Sequence, residues 1–484
     1  MALRARLVAP PPKPKVAWPF HILNWAAMPS SILFVGDRRM EAETYLSSGF
    51  GFRLAIESKH SRWLPLKEIA KVWKPGRAKG IIVAPEFGVA FLAATQVFDI
   101  RPIARKYVSA NHTKDADLCM SREGQIVVTC SGSVGRSTVL SAAHSGMMIS
   151  NDLLRVDAID EKDKGWIYAY LRASQVRAMT TSAQYGHIIK HLETSHLEEL
   201  PIPKVDRSTA SDFNRRLNRI LELRNDGHRL TLEAEAHFEK ALGPLKINNW
   251  GEQGFSVKAS SAFLSERRRL DASFYNPGSI AIHRHLAKHG KGFTTVREAG
   301  YEIWVPGRYR RISAEDGVVY RDSADLLEVS PDLTKRFADC RFGDEFHGRV
   351  KSGWILIPSS GQVYGIIGTA ILATGALDNQ VVSNHVIRVA PSRNPSIHAG
   401  YLIIAMSHLK LGRPLIKSLA FGSSVPEIDS KDVANFEVVR LGSTEESVIA
   451  DLAEGSAKAH AEADLLERAI AQDASTIIDR VITL

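Results

Sequence analysis

Three cysteines in 484 residues, Cys119, Cys130 and Cys340, form no Cys-x-x-Cys pair and leave an odd number. A disulfide framework and a zinc ribbon are thereby disfavoured, and a reducing cytoplasm is the simplest compartment. No apolar run approaches the roughly 20 residues a bilayer-spanning helix needs, so no membrane partner is expected. Catalytic signatures are equally scarce. The chain has neither a glycine-rich cofactor loop nor the Asn/Asp-Pro-Pro-aromatic motif of a methyltransferase. Gly132-Ser-Val-Gly-Arg-Ser137 lacks the spacing and the lysine of a phosphate-binding loop and reads as a strand-ending turn. Asp429-Ser-Lys431 and Glu57-Ser-Lys59 have no upstream Pro-Asp, so the carboxylates that would hold metal ions for phosphodiester cleavage are not in place. His187 and His191 stand four apart with Ile188 and Ile189 between them, which favours hydrogen-bonding histidines over a metal site. Ser131, Ser133 and the cysteines have no activating base that sequence identifies. These absences point to a binding protein with no catalytic residue, metal or cofactor of its own.

What the chain does have is an excess of positive charge and a duplication. Lys and Arg number 62 against 53 Asp and Glu, a net +9, which favours a polyanionic partner. Five segments recur in the same order at offsets from 229 to 236 residues. They are Arg38 to Ala42 with Arg268 to Ala272, Val72 to Arg77 with Ile303 to Arg308, and Gly124 to Val134 with Gly353 to Val363. Ser150 to Val156 then matches Ser383 to Val389, and Tyr185 to Glu193 matches Phe421 to Asp429. Such a period is too long for a solenoid repeat and implies two copies of a whole domain.

Between and after the copies, Asp206 to Gly243 and Ser443 to Leu484 are charged, free of internal proline and rich in helix formers. Phe213, Leu217 and Ile220 in the first, and Leu452, Leu466 and Ile470 in the second, fall on apolar seams suited to a partner helix, with Gly227 and His228 interrupting the first. At 1.5 Å per residue a helix of this size extends roughly 55 Å, which predicts two domains held well apart. Within each copy, Gln125 to Cys130 and Trp354 to Ile357 are β-branched runs ending at Ser-Gly turns, followed by strands at Leu153 to Val156 and Val386 to Val389. Trp166 to Arg172 and Ala399 to Leu409 read as helices. The expected architecture is α+β: a basic proline-rich arm (1–30), a first domain (31–204), a long helix (205–245), a second domain (246–441) and a second long helix (442–484), the two helices pairing as an antiparallel coiled coil.

This arrangement resembles the DNA-specificity subunit of type I restriction-modification enzymes over nearly the whole chain after about residue 30. The resemblance rests on Ile126-Val-Val-Thr-Cys-Ser-Gly-Ser-Val-Gly-Arg136, on Ser150 to Val156, on Tyr185-Gly-His-Ile-Ile-Lys-His-Leu192, and on Leu200-Pro-Ile-Pro203 leading into the central helix. Arg269-Leu-Asp-Ala-Ser-Phe-Tyr-Asn-Pro277 looks like the family's usual approach to a target recognition domain, and Arg39 to Tyr45 is a looser version. The second copy departs from the pattern at Ser360-Gly-Gln-Val-Tyr-Gly365 and at Glu437-Val-Val-Arg440, which lacks Pro-x-Pro.

The resemblance implies that each target recognition domain reads half of a split, asymmetric double-stranded DNA site, with the paired helices fixing the spacer. It also implies docking of two DNA adenine methyltransferase subunits that carry S-adenosylmethionine, joined by a translocating restriction subunit when the DNA is cut. Basic, amide-bearing and polar residues near loops are the candidate DNA contacts: Arg77, Lys79, Ser133, Arg136, Tyr185, His187 and Lys190 in the first domain, and Arg308, Arg310, Arg311, Gln362 and Tyr364 in the second. Two other readings fit the same residues. One is the DNA-targeting subunit of an anti-phage defence complex without a methylating partner. The other is a nucleic-acid-binding adaptor that holds phosphates without reading bases.

Overall fold

The computed structural model describes residues 44–45, 47–77, 80–184, 190–245, 254–263, 268–308, 311–339 and 348–483. The expected basic arm and Arg38 to Ala42 lie outside them. In the first domain, helix α1 (Ser48–Glu57) precedes strand β1 (Trp63–Pro65), and β2 (Ala70–Trp73), β3 (Ile126–Thr129), β4 (Ser137–Val139) and β5 (Leu153–Ala158) form a sheet in the order β2-β5-β3-β4. Helices α2 (Lys164–Arg172) and α3 (Ser174–Ala183) follow, and β6 (Pro201–Pro203) returns to pair antiparallel with β1. A smaller sheet of Ile82–Val83, Lys106–Val108, Val89–Leu92 and Met148–Ile149 covers the other side.

All four residues of β3 are buried because the strand is sandwiched. Side chains alternate across a strand. Accordingly, Ile126 and Val128 enter the core made with Trp166, Ile167 and Tyr170, while Val127 joins Leu92, Phe98 and Ile149 on the opposite face.

After the long helix α4 (Arg207–Leu242) the same plan recurs. Helix α5 (Pro277–His289) precedes β7 (Phe293–Thr295), and β8 (Tyr301–Trp304), β9 (Ile355–Pro358), β10 (Ile371–Leu372) and β11 (Val386–Pro391) form a sheet in the order β8-β11-β9-β10. Helix α6 (Ala399–Ser407) takes the place of α2, and β12 (Glu437–Val439) pairs with β7 as β6 pairs with β1. The sandwich repeats too: Ile355 and Ile357 face one core and Leu356 another.

The duplication extends to single atoms. Arg155 and Arg388, both fully buried, each donate to backbone carbonyls flanking the turn into their own strand: Arg155 to those of Ile149, Ser150 and Leu153, Arg388 to those of Val382, Ser383 and Val386. Trp166 Nε1 donates to Pro203 O at 3.1 Å, and Tyr401 Oη to Val439 O at 2.5 Å, tying each short helix to the returning strand. Val438 and Val439 thus do the packing of the first domain's Pro-x-Pro without its prolines.

The second long helix, α7 (Ser443–Thr483), lies antiparallel to α4, with Arg216 against Asp473, Arg224 against Glu467 and Thr231 against Ser456. Asp206 caps the start of α4 by accepting from Thr209 N at 2.7 Å. Gly227 does not interrupt the helix. It clears space for the His460 ring, which a Cβ at Gly227 would meet at 2.6 Å, and Ser456 Oγ donates to the Gly227 carbonyl at 2.7 Å.

Two expectations are corrected. The seam residues pack more widely than on the other helix: Phe213, Leu217, Ile220, Leu466 and Ile470 join the first domain's core, and Leu452 joins the second's. Phe213, Leu217, Ile220 and Ile470 are fully buried there, and Leu452 and Leu466 partly so. The domains are also not held apart. Ile100 N donates to Leu327 O at 2.8 Å and Val329 N to Phe98 O at 2.7 Å, so the first domain forms an antiparallel bridge with the second.

Candidate nucleic-acid interface

Strand register places one set of loops at the same end of each sheet. In the first domain Trp73 pairs with Arg155 and Thr129 with Leu153, so β2 and β3 finish where β5 begins. Beyond β3 the chain turns through Gly132 (φ +72°) and Gly135 (φ +80°), conformations that favour glycine. Thr129 secures the turn: its Oγ1 donates to Ser133 O at 2.5 Å, and its carbonyl accepts from Gly135 N at 2.8 Å. The segment ending at Leu192 lies against this turn, with Ser131 bridged to His191 and Leu192 N donating to Cys130 O at 2.9 Å. On the other side, Cys130 N donates to Asp152 O at 2.9 Å, which adds the Ser150-Asn-Asp152 turn. Burial raises the Cys130 thiol pKa, opposed by the attraction of nearby Lys74. The resulting rim carries Lys74, exposed Arg77, exposed Ser133, Asn151 and Lys190.

The second domain repeats the rim. Trp304 pairs with Arg388 and Pro358 with Val386, so β8 and β9 finish where β11 begins. Exposed Arg308 stands where Arg77 stands, each following a buried proline, Pro306 or Pro75. Arg311 donates to Asn384 Oδ1 at 2.9 Å and lies 4.8 Å from the Tyr320 ring centroid. Ser360 Oγ and His385 Nδ1 are 3.1 Å apart, and Gly361 N donates to Pro426 O at 3.1 Å, which brings up the loop closed by mutual backbone bonds between Phe421 and Glu427. Gln362 and Tyr364 are exposed on this turn, and Phe421 and Val425 on the neighbouring loop.

The two rims share a frame and differ in what they present. Ser133 corresponds to Gln362, Asp152 to His385 and Lys74 to Val305. Ser133 and Lys190 lie on adjoining loops of the first domain, Gln362 and Tyr364 on one turn of the second with Arg311 against Asn384, while Arg77 and Arg308 are exposed beyond the ends of β2 and β8. Lys79, Tyr185, His187 and Arg310 lie outside the described residues. Arg136 needs correction as a DNA contact. Its side chain is 13 % exposed, its guanidinium lies 4.1 Å from the Phe98 ring centroid, and it pairs with Glu328 of the second domain at 2.6 Å. Arg269 is likewise structural, holding Asp271 and the carbonyls of Leu419 and Ala420. Asn151, Asn384 and His385, not among the sequence candidates, lie on the matched turns before β5 and β11 and are the variable or amide-bearing positions of that frame. Among the described residues no helix is long and apolar enough to cross a membrane.

No family profile and no curated relative matches the sequence. Solved structures similar to it include a type I restriction-modification S subunit from M. genitalium, 14 % identical, covering 87 % of this chain and 96 % of that one with a TM-score of 0.28. Another is the HsdS subunit from Thermoanaerobacter tengcongensis, 11 % identical over 87 % of this chain and 96 % of that one, TM-score 0.25. The type IIG restriction endonuclease BpuSI is 10 % identical over 36 % of this chain and 28 % of its own, TM-score 0.27.

Proposed function

We propose that the chain is a non-catalytic DNA-specificity subunit whose two domains each read one half of an asymmetric, split duplex site. The observation that carries this reading is the repeated rim: one frame, held by Arg155 or Arg388 and followed by turns at matched positions, presents different side chains in its two copies. A frame repeated with unequal tips suits two unequal half-sites. Arginine can form paired hydrogen bonds with guanine O6 and N7, and asparagine or glutamine with adenine N6 and N7, whereas lysine more often holds phosphate. In this reading Arg77, Arg308, Asn384 and Gln362 would make the first kind of contact, with Arg311 holding Asn384 at 2.9 Å, and Lys74 and Lys190 would make the second.

In this reading the chain holds no cofactor. Methylation belongs to DNA adenine methyltransferase subunits, two in number, which bring S-adenosylmethionine and flip the target base. They would dock on outward faces of the helix pair, since its apolar seams are internal, and a translocating restriction subunit would join them for cleavage.

Selection of the purified chain against random duplex DNA tests the reading. The expected motif has two different short elements separated by an unread spacer. Sequence-independent retention with steep salt dependence would instead identify a phosphate-holding adaptor.

A further inference from the structure

The two domains are joined by more than the helix pair. Phe98 and Ile100 of the first domain exchange backbone hydrogen bonds with Leu327 and Val329 of the second, setting Asp99 opposite Glu328. Arg136, beside this bridge, grips both carboxylate oxygens of Glu328, at 2.6 and 3.4 Å, and reaches Asp332 at 3.5 Å. Arg177 lies 3.6 Å from Asp332. Arg172 donates to both Ser330 O (3.0 Å) and Ser330 Oγ (2.8 Å) and pairs with Glu467 of α7 at 3.3 Å. Ser330 is 1 % exposed, sits at φ +41°, and donates its own amide to Asp464 of α7 at 2.8 Å. Three arginines of one domain thus close on a segment of the other, with the second long helix sealing the junction.

Burial distinguishes this junction from a surface contact that DNA phosphate would displace. The side chains of Arg136 and Glu328 are 13 % and 14 % exposed, and separating such a pair leaves each charge desolvated without its partner. The junction is also anchored at the rims. Arg136 ends the turn that carries Ser133, while Arg105, five residues beyond the bridge residue Ile100, approaches Gly365 at the end of the turn that carries Gln362 and Tyr364. A shift at the bridge therefore moves one reading rim relative to the other.

We propose that the Arg136–Glu328 clasp, with the 98–100 and 327–329 bridge it flanks, is a specificity determinant that fixes the separation and rotational phase of the two reading rims. The inference rests on the DNA reading above. The physical demand is strict: one added base pair moves a half-site by about 3.4 Å and turns it by roughly 34° about the duplex axis. Glu328 and Arg136 are positioning residues in this account, acting through the rims without touching a base.

The test uses the full chain and two readouts. Hydrogen exchange reports the bridge directly. The amides of Ile100 and Val329 should be protected in the wild type and exchange at least about tenfold faster in Glu328→Arg, while those of β3 and β9 stay protected as the folding control. The double variant Arg136→Glu/Glu328→Arg should recover part of that protection. If Glu328→Arg loses protection everywhere, Glu328→Gln replaces it.

Duplexes carrying the selected half-sites with spacers one base pair shorter, equal and one longer give the second readout. Wild type should prefer one spacer by about tenfold or more, and the open variant should lose most of that preference while keeping its preference for the half-site sequences. Unchanged exchange at Ile100 and Val329 would overturn the clasp. A lost bridge with unchanged spacer preference would overturn its role in spacing. A wild-type chain that binds no split site would refute the DNA reading and with it the spacing role, while exchange would still decide whether the clasp exists.

Discussion

Arg77 and Arg308 occupy one position of the repeat, one in each domain, and both are exposed. If each rim reads independently, Arg308→Ala should weaken binding by about 1–3 kcal/mol and relax sequence preference in one half-site alone. Competition binding with each half scrambled in turn checks this, and equal loss at both halves would refute independent reading. Asp99 makes a second residue-scale prediction. Burial, then the charge of Glu328, raises its pKa from 3.8 to about 7, against the opposing pull of Arg105, Arg136 and Arg413. Between about pH 4 and 7 the folded state therefore binds more protons than the unfolded one, so this group's contribution to stability falls as pH rises through that window. His144 and His460, pushed by burial to about 4, slope the other way, and Asp464, raised to about 6, slopes with Asp99. The difference between Asp99→Asn and wild type isolates the one carboxyl. The variant's stability relative to wild type, from urea unfolding, should improve from pH 5 to pH 7.5, by at most about 1.4 kcal/mol per pH unit. A constant difference would contradict the assignment.

At the scale of elements, each domain clamps its short helix to a long one through a glycine at the same place in the repeat. A Cβ at Gly165 would meet the α4 backbone of Asn214 at 2.3 Å, and one at Gly400 the α7 backbone of Ala450 at 2.3 Å. Backbone cannot step aside as a flexible side chain can, so Gly165→Ala and Gly400→Ala should each cost about 1–3 kcal/mol. Chemical denaturation checks both, and a neutral result at either would show that its helix contact is not tight. These elements were largely legible in the sequence. The β-branched runs of β3 and β9, the Ser-Asn turns before β5 and β11, and the bounds of both long helices follow from local composition and from the repeat. What periodicity did not convey is what a buried face meets: Phe213 and Leu217 show a seam, but the seam closes largely on Trp166's domain. Gly227 looked like an interruption and is a notch for His460. Both outcomes depend on tertiary neighbours that local pattern does not encode.

The whole molecule follows from one duplicated unit arranged head to tail and joined into a ring of contacts. The N-terminal half of α4 and the C-terminal half of α7 complete the first domain's core, and their other halves complete the second's. Neither the bridge nor the arginine clasp was legible, because Arg136 and its partner Glu328 are 192 residues apart and an arginine on a glycine turn has the same local look whether it reads a base or a carboxylate. The rims were legible as positions and only partly as residues, since the repeat exposed the frame while Asn384 and His385 passed as part of it. On the proposed function, two matched frames with unequal tips read two different half-sites. Co-expression of the chain with a candidate DNA adenine methyltransferase, followed by mapping of methylated adenines across a genome, tests this. The account predicts one asymmetric split motif with a constant spacer, and an active complex that methylates a continuous motif, a palindrome or halves at variable spacing would contradict it.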